Sequence, residues 1–316
     1  MPLSNKLGLP QPIVDAVKRE TYDPGHGDFS ATSLIAPPKI KVLEARHKEE
    51  IWEDVSDRLY SLYGQTVHLI LERAGVKLTE YAVEKRYYAK YGQWNVSAQI
   101  DCLFLADGVL SDYKFTTAYS AQTNMDGTMD IKKEWYCQLN IQADILRKNP
   151  QLNLPPIQKL QIVALLRDWQ PSKAAADKLY PQSQIVVIPI PMANPANVET
   201  YILHRCGLHQ AAKDQPVDDL IPECTKEERW EDETKYAAMK IGGKRATKVF
   251  DTRLDYDGWL AQQKDAATFQ LMERPGFARR CMGMAGKVYC QSRNFCHHYK
   301  GLVEQIKAQE GQRAAA

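Results

Sequence analysis

The spacing of apolar residues changes period along the chain. From Ile40 to Tyr63 they recur at Leu43, Ile51, Val55 and Leu59, which predicts one long helix. Gly64 interrupts this pattern, and Gln65–Arg73 resumes it as far as Gly75. Three strand-like stretches follow, Tyr81–Tyr88, Trp94–Leu105 and Val109–Thr116. A helical stretch from about Lys132 to Arg147 stops at Asn149-Pro150. Lys159–Leu166 is an almost unbroken apolar run, as expected of a central buried strand. Gln184–Ile190 predicts another strand and Asn197–Lys213 another helix. Farther on, Lys235–Lys240 and Arg245–Phe250 flank Gly242-Gly243, a hairpin signal. Tyr256–Leu271 and Tyr299–Gln309 predict the last helices. Met1–Phe29 is rich in Pro, Gly and Asp and reads as irregular, with a short helix at Ile13–Glu20. Ser30–Ser33 precedes Pro37-Pro38, and proline suits the first turn of a helix. The expected division is an irregular segment 1–29, a core 30–215 and a carboxy-terminal region 216–316.

The chain's densest chemistry lies between Gln99 and Thr117. Asp107-Gly108 separates two apolar runs, a strong hairpin signal. A two-residue turn would set Asp101 opposite Lys114 and Leu103 opposite Asp112. Opposite and diagonal partners share a face, so Asp101, Asp112 and Lys114 would project together. Two acids and an amine on one sheet face are costly to bury unless they do chemistry or hold a metal. A three-residue turn would scatter the set. The plainer alternative is a surface hairpin with a cross-strand Asp–Lys pair.

Composition adds a compartment and a charge pattern. The chain has 316 residues, 44% of them hydrophobic, enough for a sizeable core. A net charge of +2 hides a polarity: Lys235–Lys300 carries 13 Lys/Arg against 5 acids, and Lys213–Thr234 carries 9 acids against 3 bases. No signal-peptide pattern stands out, and no apolar run approaches the ~20 residues of a membrane span, so a cytoplasmic location is expected. Seven cysteines, an odd number, suit thiols or metal ligands in a reducing compartment. Cys281, Cys290 and Cys296 fall within sixteen residues, with Cys224 upstream. Such a set suits zinc or an iron–sulfur cluster. Cys102 and Cys137 read as core thiols.

An acid, a hairpin and then acid-x-Lys, here Asp101 and Asp112-Tyr113-Lys114, resembles the PD-(D/E)XK nuclease superfamily. Its fold is α/β with an αβββαβ restriction-endonuclease-like core, matching the order of elements above. The resemblance implies a metal-dependent phosphodiesterase. Asp101, Asp112 and the Tyr113 carbonyl would hold Mg2+ or Mn2+, with Lys114 orienting the attacking water. Gly64-x-x-x-His68 resembles an element of the RecB-type branch in which the histidine is a further metal ligand. Glu84 stands where that family has an acid, and Gln138 and Gln142 resemble its glutamine motif. Ser111 replaces the motif's proline, and Ala98 stands where glycine is frequent.

The cysteines resemble the iron–sulfur latch of AddB-type and CRISPR-adaptation exonucleases. That implies a [4Fe–4S] cluster on Cys224, Cys281, Cys290 and Cys296, with structural Zn2+ as the alternative and Cys206, His297 or His298 as rival ligands. Two departures stand: no cysteine precedes Cys102, and the Cys281–Cys290 interval is long. Leu166–Trp169, Cys224–Trp230, Lys235–Lys240 and Lys244–Phe250 resemble segments of bacteriophage RecB-like exonucleases. The implied function is a metal-dependent DNA exonuclease of phage recombination or DNA end processing in the host cytoplasm. DNA would run along Lys240, Lys244, Arg245 and Lys248 and stack on Trp230, Tyr236, Tyr289 or Phe295. A recombination or single-strand-binding protein and an oligomer are further expected partners. The competing readings are a spacer-processing CRISPR nuclease and a non-cleaving nucleic-acid-binding protein that keeps the fold.

Overall fold

A computed structural model of the protein describes residues 1–18, 25–75, 80–284 and 287–315. The architecture is mixed α/β, and its contacts divide the chain into two units. The first comprises Met1–Lys41 and Lys48–Asp214, and the second Val42–His47 and Gln215–Ala316.

The first unit opens with β1 (Leu3–Ser4), α1 (Gln11–Lys18), β2 (Phe29–Ser30) and α2 (Ala31–Ile35). Positions 19 and 20 of the helix expected at Ile13–Glu20 lie outside the described residues. Ser30 and Ser33 cap α2 reciprocally, side chain to backbone. α3 (Pro38–Arg46), β3 (Glu53–Asp54) and α4 (Leu59–Gly75) come next. The single helix expected over Ile40–Tyr63 is therefore two. Ile51 and Val55 are buried as the spacing required, but on a connecting segment and a short 3-10 turn. Asp54 sets the break. Its carboxylate accepts from the Lys6 and Ser56 N–H groups and from the Ser4 and Ser56 hydroxyls. These bonds, Lys6 first, hold it far below the usual carboxylate range. Gly64 lies inside α4 and interrupts nothing.

The sheet follows: β4 (Tyr81–Tyr91), β5 (Trp94–Phe104), β6 (Val109–Thr116), α5 (Lys133–Arg147), β7 (Lys159–Leu166), α6 (Pro171–Ala176), β8 (Ile185–Ile190) and α7 (Pro195–Lys213). Strand order is β2-β5-β6-β7-β8, with β4 also on β5. β4 runs antiparallel along the whole of β5. The other edge of β5 forks. β6 pairs with it at Cys102–Phe104, and β2 pairs parallel at Val96 and Ser97. In the open stretch between, the amide of buried Gln142 donates to the Gln99 carbonyl at 3.1 Å. An unpaired backbone carbonyl there would be costly, so α5 supplies the missing donor. α5 is buried over much of its circumference, and two of its polar residues are tied to neighbouring elements: the Tyr91 hydroxyl donates to Asp144 at 2.7 Å, and Asn140 accepts from Ala193 N–H at 2.8 Å. Leu34, Ile100, Leu103, Leu110, Leu139 and Ile162 form the core around it.

The hairpin turn is longer than two residues. Phe104 pairs with Val109, leaving Leu105 to Gly108 as the turn. Leu105 N–H is taken by Glu80, and Gly108 closes onto Phe104 O while its own carbonyl receives Gln158 N–H. The ends of neighbouring strands thus set the turn. Asp101 consequently falls level with Asp112, not with Lys114. The register differs from expectation by two residues, so every side chain keeps its face.

In the second unit, β9 (Lys235–Lys240), β10 (Ala246–Phe250) and β11 (Phe269–Arg274) form a sheet ordered β10-β9-β11. α8 (Arg253–Leu260) lays Tyr256 against Ala238 and Phe250. The helix expected over Tyr256–Leu271 ends at Leu260, and β11 takes its last three positions. Phe269 and Leu271 alternate onto the face that packs Trp259, a period of two that a helix cannot satisfy. α9 (Arg279–Met282) and α10 (His297–Ala315) complete the unit. Among the described residues no helix is long and apolar enough to cross a membrane.

Two glycines give opposite predictions. Gly108 has φ +63°, and a Cβ there would stand 2.2 Å from the Pro156 carbonyl oxygen. Gly64 is helical, and a Cβ there would meet nothing within 4 Å. In chemical denaturation, Gly108→Ala should lose roughly 1–3 kcal/mol, while Gly64→Ala should gain ~0.5–1 kcal/mol.

Candidate metal centre

Strand parity gathers the polar residues. Val83 pairs with Cys102 and Lys85 with Ile100, so Glu84 stands opposite Asp101. Arg86 stands opposite Gln99. Continuing the β5–β6 register from Cys102↔Ser111 brings Asp112 level with Asp101 and Lys114 level with Gln99. Glu84 and Asp101 are therefore neighbours across β4 and β5, as are Arg86 and Gln99, and Asp112 and Lys114 share one face of β6. Glu84 itself sits at φ +48°, in the left-handed region that costs a non-glycine residue roughly 1–3 kcal/mol.

From α4, His68 Nδ1 approaches Glu84 Oε1 to 3.1 Å and Asp101 Oδ2 to 3.6 Å. One ligand atom from each of the three lies within 4.8 Å of the others, an arrangement that can hold a metal ion. Asp101 Oδ2 also accepts from Tyr113 N–H at 2.7 Å, where β6 has diverged from β5. Glu84 Oε2 accepts from Gln99 at 2.7 Å, and Arg86 donates to Gln99 Oε1 at 2.9 Å. Beside this trio, Asp112 is fully buried with Lys114 Nζ 2.6 Å from its Oδ2. Gln138 on α5 bridges the pair, donating to Asp112 Oδ1 at 2.6 Å and accepting from Lys114 at 3.2 Å.

Burial first, and the Asp112 charge second, push the Asp101 carboxyl up to about 7. The Glu84 hydrogen bond raises His68 above its ordinary value against the opposing effect of burial, with Asp101 adding to the rise. The donor set fits a hard divalent cation: carboxylate oxygens and one imidazole nitrogen on rigid elements. Asp112 Oδ2 has an ammonium near it but no aligned hydrogen-bond donor, a buried oxygen with ligating capacity to spare.

The convergent trio differs from the expected ligand set. Glu84 stands among the groups that could hold a metal. Asp112 is engaged with Lys114 and Gln138, and Tyr113 contributes its N–H to Asp101. Gln142 supports the backbone of β5 and does not reach the acids. Sequence reading passed over Gln99 and Arg86. The signal was available: each lies two residues from a site acid on the same strand, hence on the same face.

Cys224, Cys281, Cys290 and Cys296 all lie in the second unit, and the protein's cysteines are free of disulfides. Burial first, then Glu228 and the other three thiols, push Cys224 up to about 12. Burial, with Cys290 and Cys296, pushes Cys281 up to about 11. The sulfurs are thus neighbours, yet among the described residues no three of them come within 4.8 Å of one another. A four-thiolate zinc tetrahedron with ~2.3 Å bonds needs sulfurs roughly 3.8 Å apart. Backbone bonds tie the early and late segments: Arg280 N–H donates to Arg229 O at 3.0 Å and Arg280 Nη1 to Glu228 O at 2.8 Å. Of the rival ligands, Cys206 is buried in the core of the first unit. His297 and His298 lie 3.0 and 3.2 Å from Glu223, and His298 Nε2 is buried without a hydrogen-bond partner.

Lys240, Lys244, Arg245 and Lys248 are exposed on the β9–β10 hairpin. Their expected aromatic companions are engaged elsewhere. Trp230 packs edge-on to Tyr289 under Arg280, Phe295 stacks on His47 with ring centres 3.8 Å apart, and Tyr236 packs against the small core of its sheet. They were indistinguishable in sequence from exposed aromatics.

No protein-family model matches the chain, and no curated protein does. Seven chains among solved structures match it. One, described as the crystal structure of SSO0001, is 14% identical with a TM-score of 0.41, covering 62% of this chain and 84% of its own. That likeness is too remote to bear on function.

A cation at the trio must displace protons from Asp101 and His68. Both groups sit above their ordinary values, so protons compete with metal increasingly as pH falls through about 7. Calorimetric Mn2+ titrations should show affinity at least tenfold weaker at about pH 6 than at about pH 8. A pH-independent affinity would contradict the assignment.

Proposed function

We propose that the protein is a divalent-metal-dependent deoxyribonuclease of the PD-(D/E)XK type, acting as an exonuclease in phage recombination or DNA end processing. One observation carries the reading: the His68–Glu84–Asp101 trio lies beside the Asp112–Lys114–Gln138 set, close enough for the Asp112 and Lys114 charges to act on Asp101. A structural ion pair would account for Asp112 and Lys114. It would not account for a second, adjacent group of convergent acids held partly by a left-handed backbone. Buried charges retained at such cost mark sites of chemistry.

His68, Glu84, Asp101 and the spare oxygen of Asp112 are the groups that would hold Mg2+ or Mn2+. Bound there, the cation neutralises charge on the scissile phosphate and acidifies water. Lys114 is fixed by Asp112 and Gln138, so its ammonium is presented in one orientation. From there it donates to the attacking water or a phosphate oxygen and stabilises the negative charge that develops. Asp101, held by the Tyr113 N–H, keeps one oxygen fixed and leaves the other to accept a proton or a ligand. Attack is in line, with no covalent intermediate.

In the second unit, the neighbouring thiols Cys224, Cys281, Cys290 and Cys296 are the groups that would hold a [4Fe–4S] cluster, with structural Zn2+ as the alternative. Bound there, it would join two segments distant in sequence. DNA is the proposed partner, and the exposed cations of the β9–β10 hairpin support contact with its phosphates.

Two measurements test this. Lys114→Ala should lower the rate of Mg2+- or Mn2+-dependent DNA digestion by ~10²–10³-fold while the variant stays folded by circular dichroism. Digestion at the wild-type rate would refute the reading. Anaerobically purified protein should be brown, absorb in the blue-violet and contain iron; a colourless, zinc-loaded preparation would refute the cluster.

A further inference from the structure

α4 runs alongside β6 in the opposite direction, and three ring contacts fix the alignment. His68 meets Tyr113 edge-on with ring centres 6.2 Å apart, Tyr63 meets Phe115 at 6.1 Å, and the Arg167 guanidinium lies 4.1 Å from the Tyr60 ring centre. Arg167 directly follows β7, and its N–H donates to Thr116 O at 2.9 Å. The two elements therefore lead from the acidic trio at one end to a second cluster at the other. There Lys132 Nζ donates to Ser120 Oγ at 2.7 Å, and Thr116 Oγ1 donates to the same oxygen at 3.0 Å. Desolvation holds the Lys132 amine below its ordinary value, and the charge of Arg167 adds to that against Glu134. Lys132 and the Ser120 hydroxyl thus meet at one end of the lane, near enough to Arg167 to feel its charge.

The spacing suits a nucleic-acid strand. Tyr60 and His68 are eight residues apart, roughly 12 Å along a helix. Asp112 and Thr116 are four residues apart, roughly 13 Å along a strand. At ~3.4 Å per stacked nucleotide, either length spans a few nucleotides. Tyr60 and Tyr63 are about half exposed, at 52% and 50%. Midway along the stripe, one turn from each of Tyr60 and His68, stands Gly64. A Cβ there would meet nothing, and its conformation is ordinary α, so neither packing nor φ requires glycine. A residue that weakens a helix without a structural reason is accounted for if something passes over it.

We propose that this lane is a track for an unpaired strand. Lys132, Arg167 and the Ser120 hydroxyl take a backbone phosphate a few nucleotides from the scissile bond. The exposed part of the Tyr60 ring takes an unstacked base, and Gly64 leaves the helix bare beneath the chain. The inference rests on the nuclease reading for its substrate and adds the substrate's state: single-stranded where it crosses α4. Cations interleaved with exposed aromatics bind single strands, because an unpaired base offers its face and a paired one does not.

Binding separates this proposal from the catalytic one. Fluorescence anisotropy with a short labelled oligothymidylate, in Ca2+ to suppress turnover, reads the track directly. Arg167→Ala, Lys132→Ala and Tyr60→Ala should each weaken binding about tenfold. For the two cation variants the salt dependence should fall by about one phosphate contact. Gly64→Leu should weaken binding more than Gly64→Ala, with both helical by circular dichroism. A blunt duplex of equal length should bind more weakly than the single strand and respond less to all five substitutions. Wild-type binding by Arg167→Ala and Lys132→Ala, or equal losses on the duplex, would overturn the track. Either result holds whether or not Lys114→Ala cleaves, so the failure of one reading is not mistaken for failure of the other.

Discussion

The parting of β6 from β5 beyond Ser111 is the constraint on which the site depends. While two strands stay paired, their backbone groups satisfy one another and the side chains between them are packed at about 5 Å. Here the ladder stops at Cys102↔Ser111, and the next pair would have been Asp101 and Asp112. Two carboxylates directly opposite each other repel. Separation relieves the repulsion and opens a wedge between the strands, and it also orphans backbone groups. The molecule meets that need with side chains: Asp101 takes the Tyr113 N–H, and Gln142 supplies the Gln99 carbonyl. The fork, the acids and the buried glutamine are one arrangement seen from three sides.

Charge is managed within the wedge by division. Asp112 has Lys114 and Gln138 and is closed off from solvent. Asp101 has burial and a like-charged neighbour, so it holds its proton to unusually high pH. Asp101 is thus poised to exchange its proton for a cation near neutral pH. Glu84 brings a third oxygen from a left-handed backbone position, its side chain held by the Gln99–Arg86 chain.

Much of this was legible in the sequence. Period-two alternation with Asp107-Gly108 located the hairpin, and parity alone put Asp101, Asp112 and Lys114 on one face. A two-residue error in register did not disturb that conclusion, because a shift of two preserves the face. The long helix was misread for the opposite reason. Ile51 and Val55 obey helical spacing and are buried, but spacing reports burial and not continuity: the chain leaves the helix after Arg46 and turns helical again only past the Asp54 cap. The strand at Phe269 was hidden because six residues alternating beneath Trp259 are too few to outvote a helical window. What no local pattern could reveal is convergence. Glu84 and His68 come from separate elements, and the alignment of α4 with β6 exists in space and not in any window of the chain. The same holds for Arg167 and Tyr60, more than a hundred positions apart.

The central claim is that His68, Glu84 and Asp101 converge around a divalent cation. The most direct measurement is a crystal of the protein soaked in Mn2+, with anomalous diffraction collected at the manganese edge. The account predicts a peak between His68 on α4 and the Glu84 and Asp101 carboxylates, within bonding distance of all three. A peak elsewhere, or none while Asp101 and His68 stay in direct contact with each other, would contradict it.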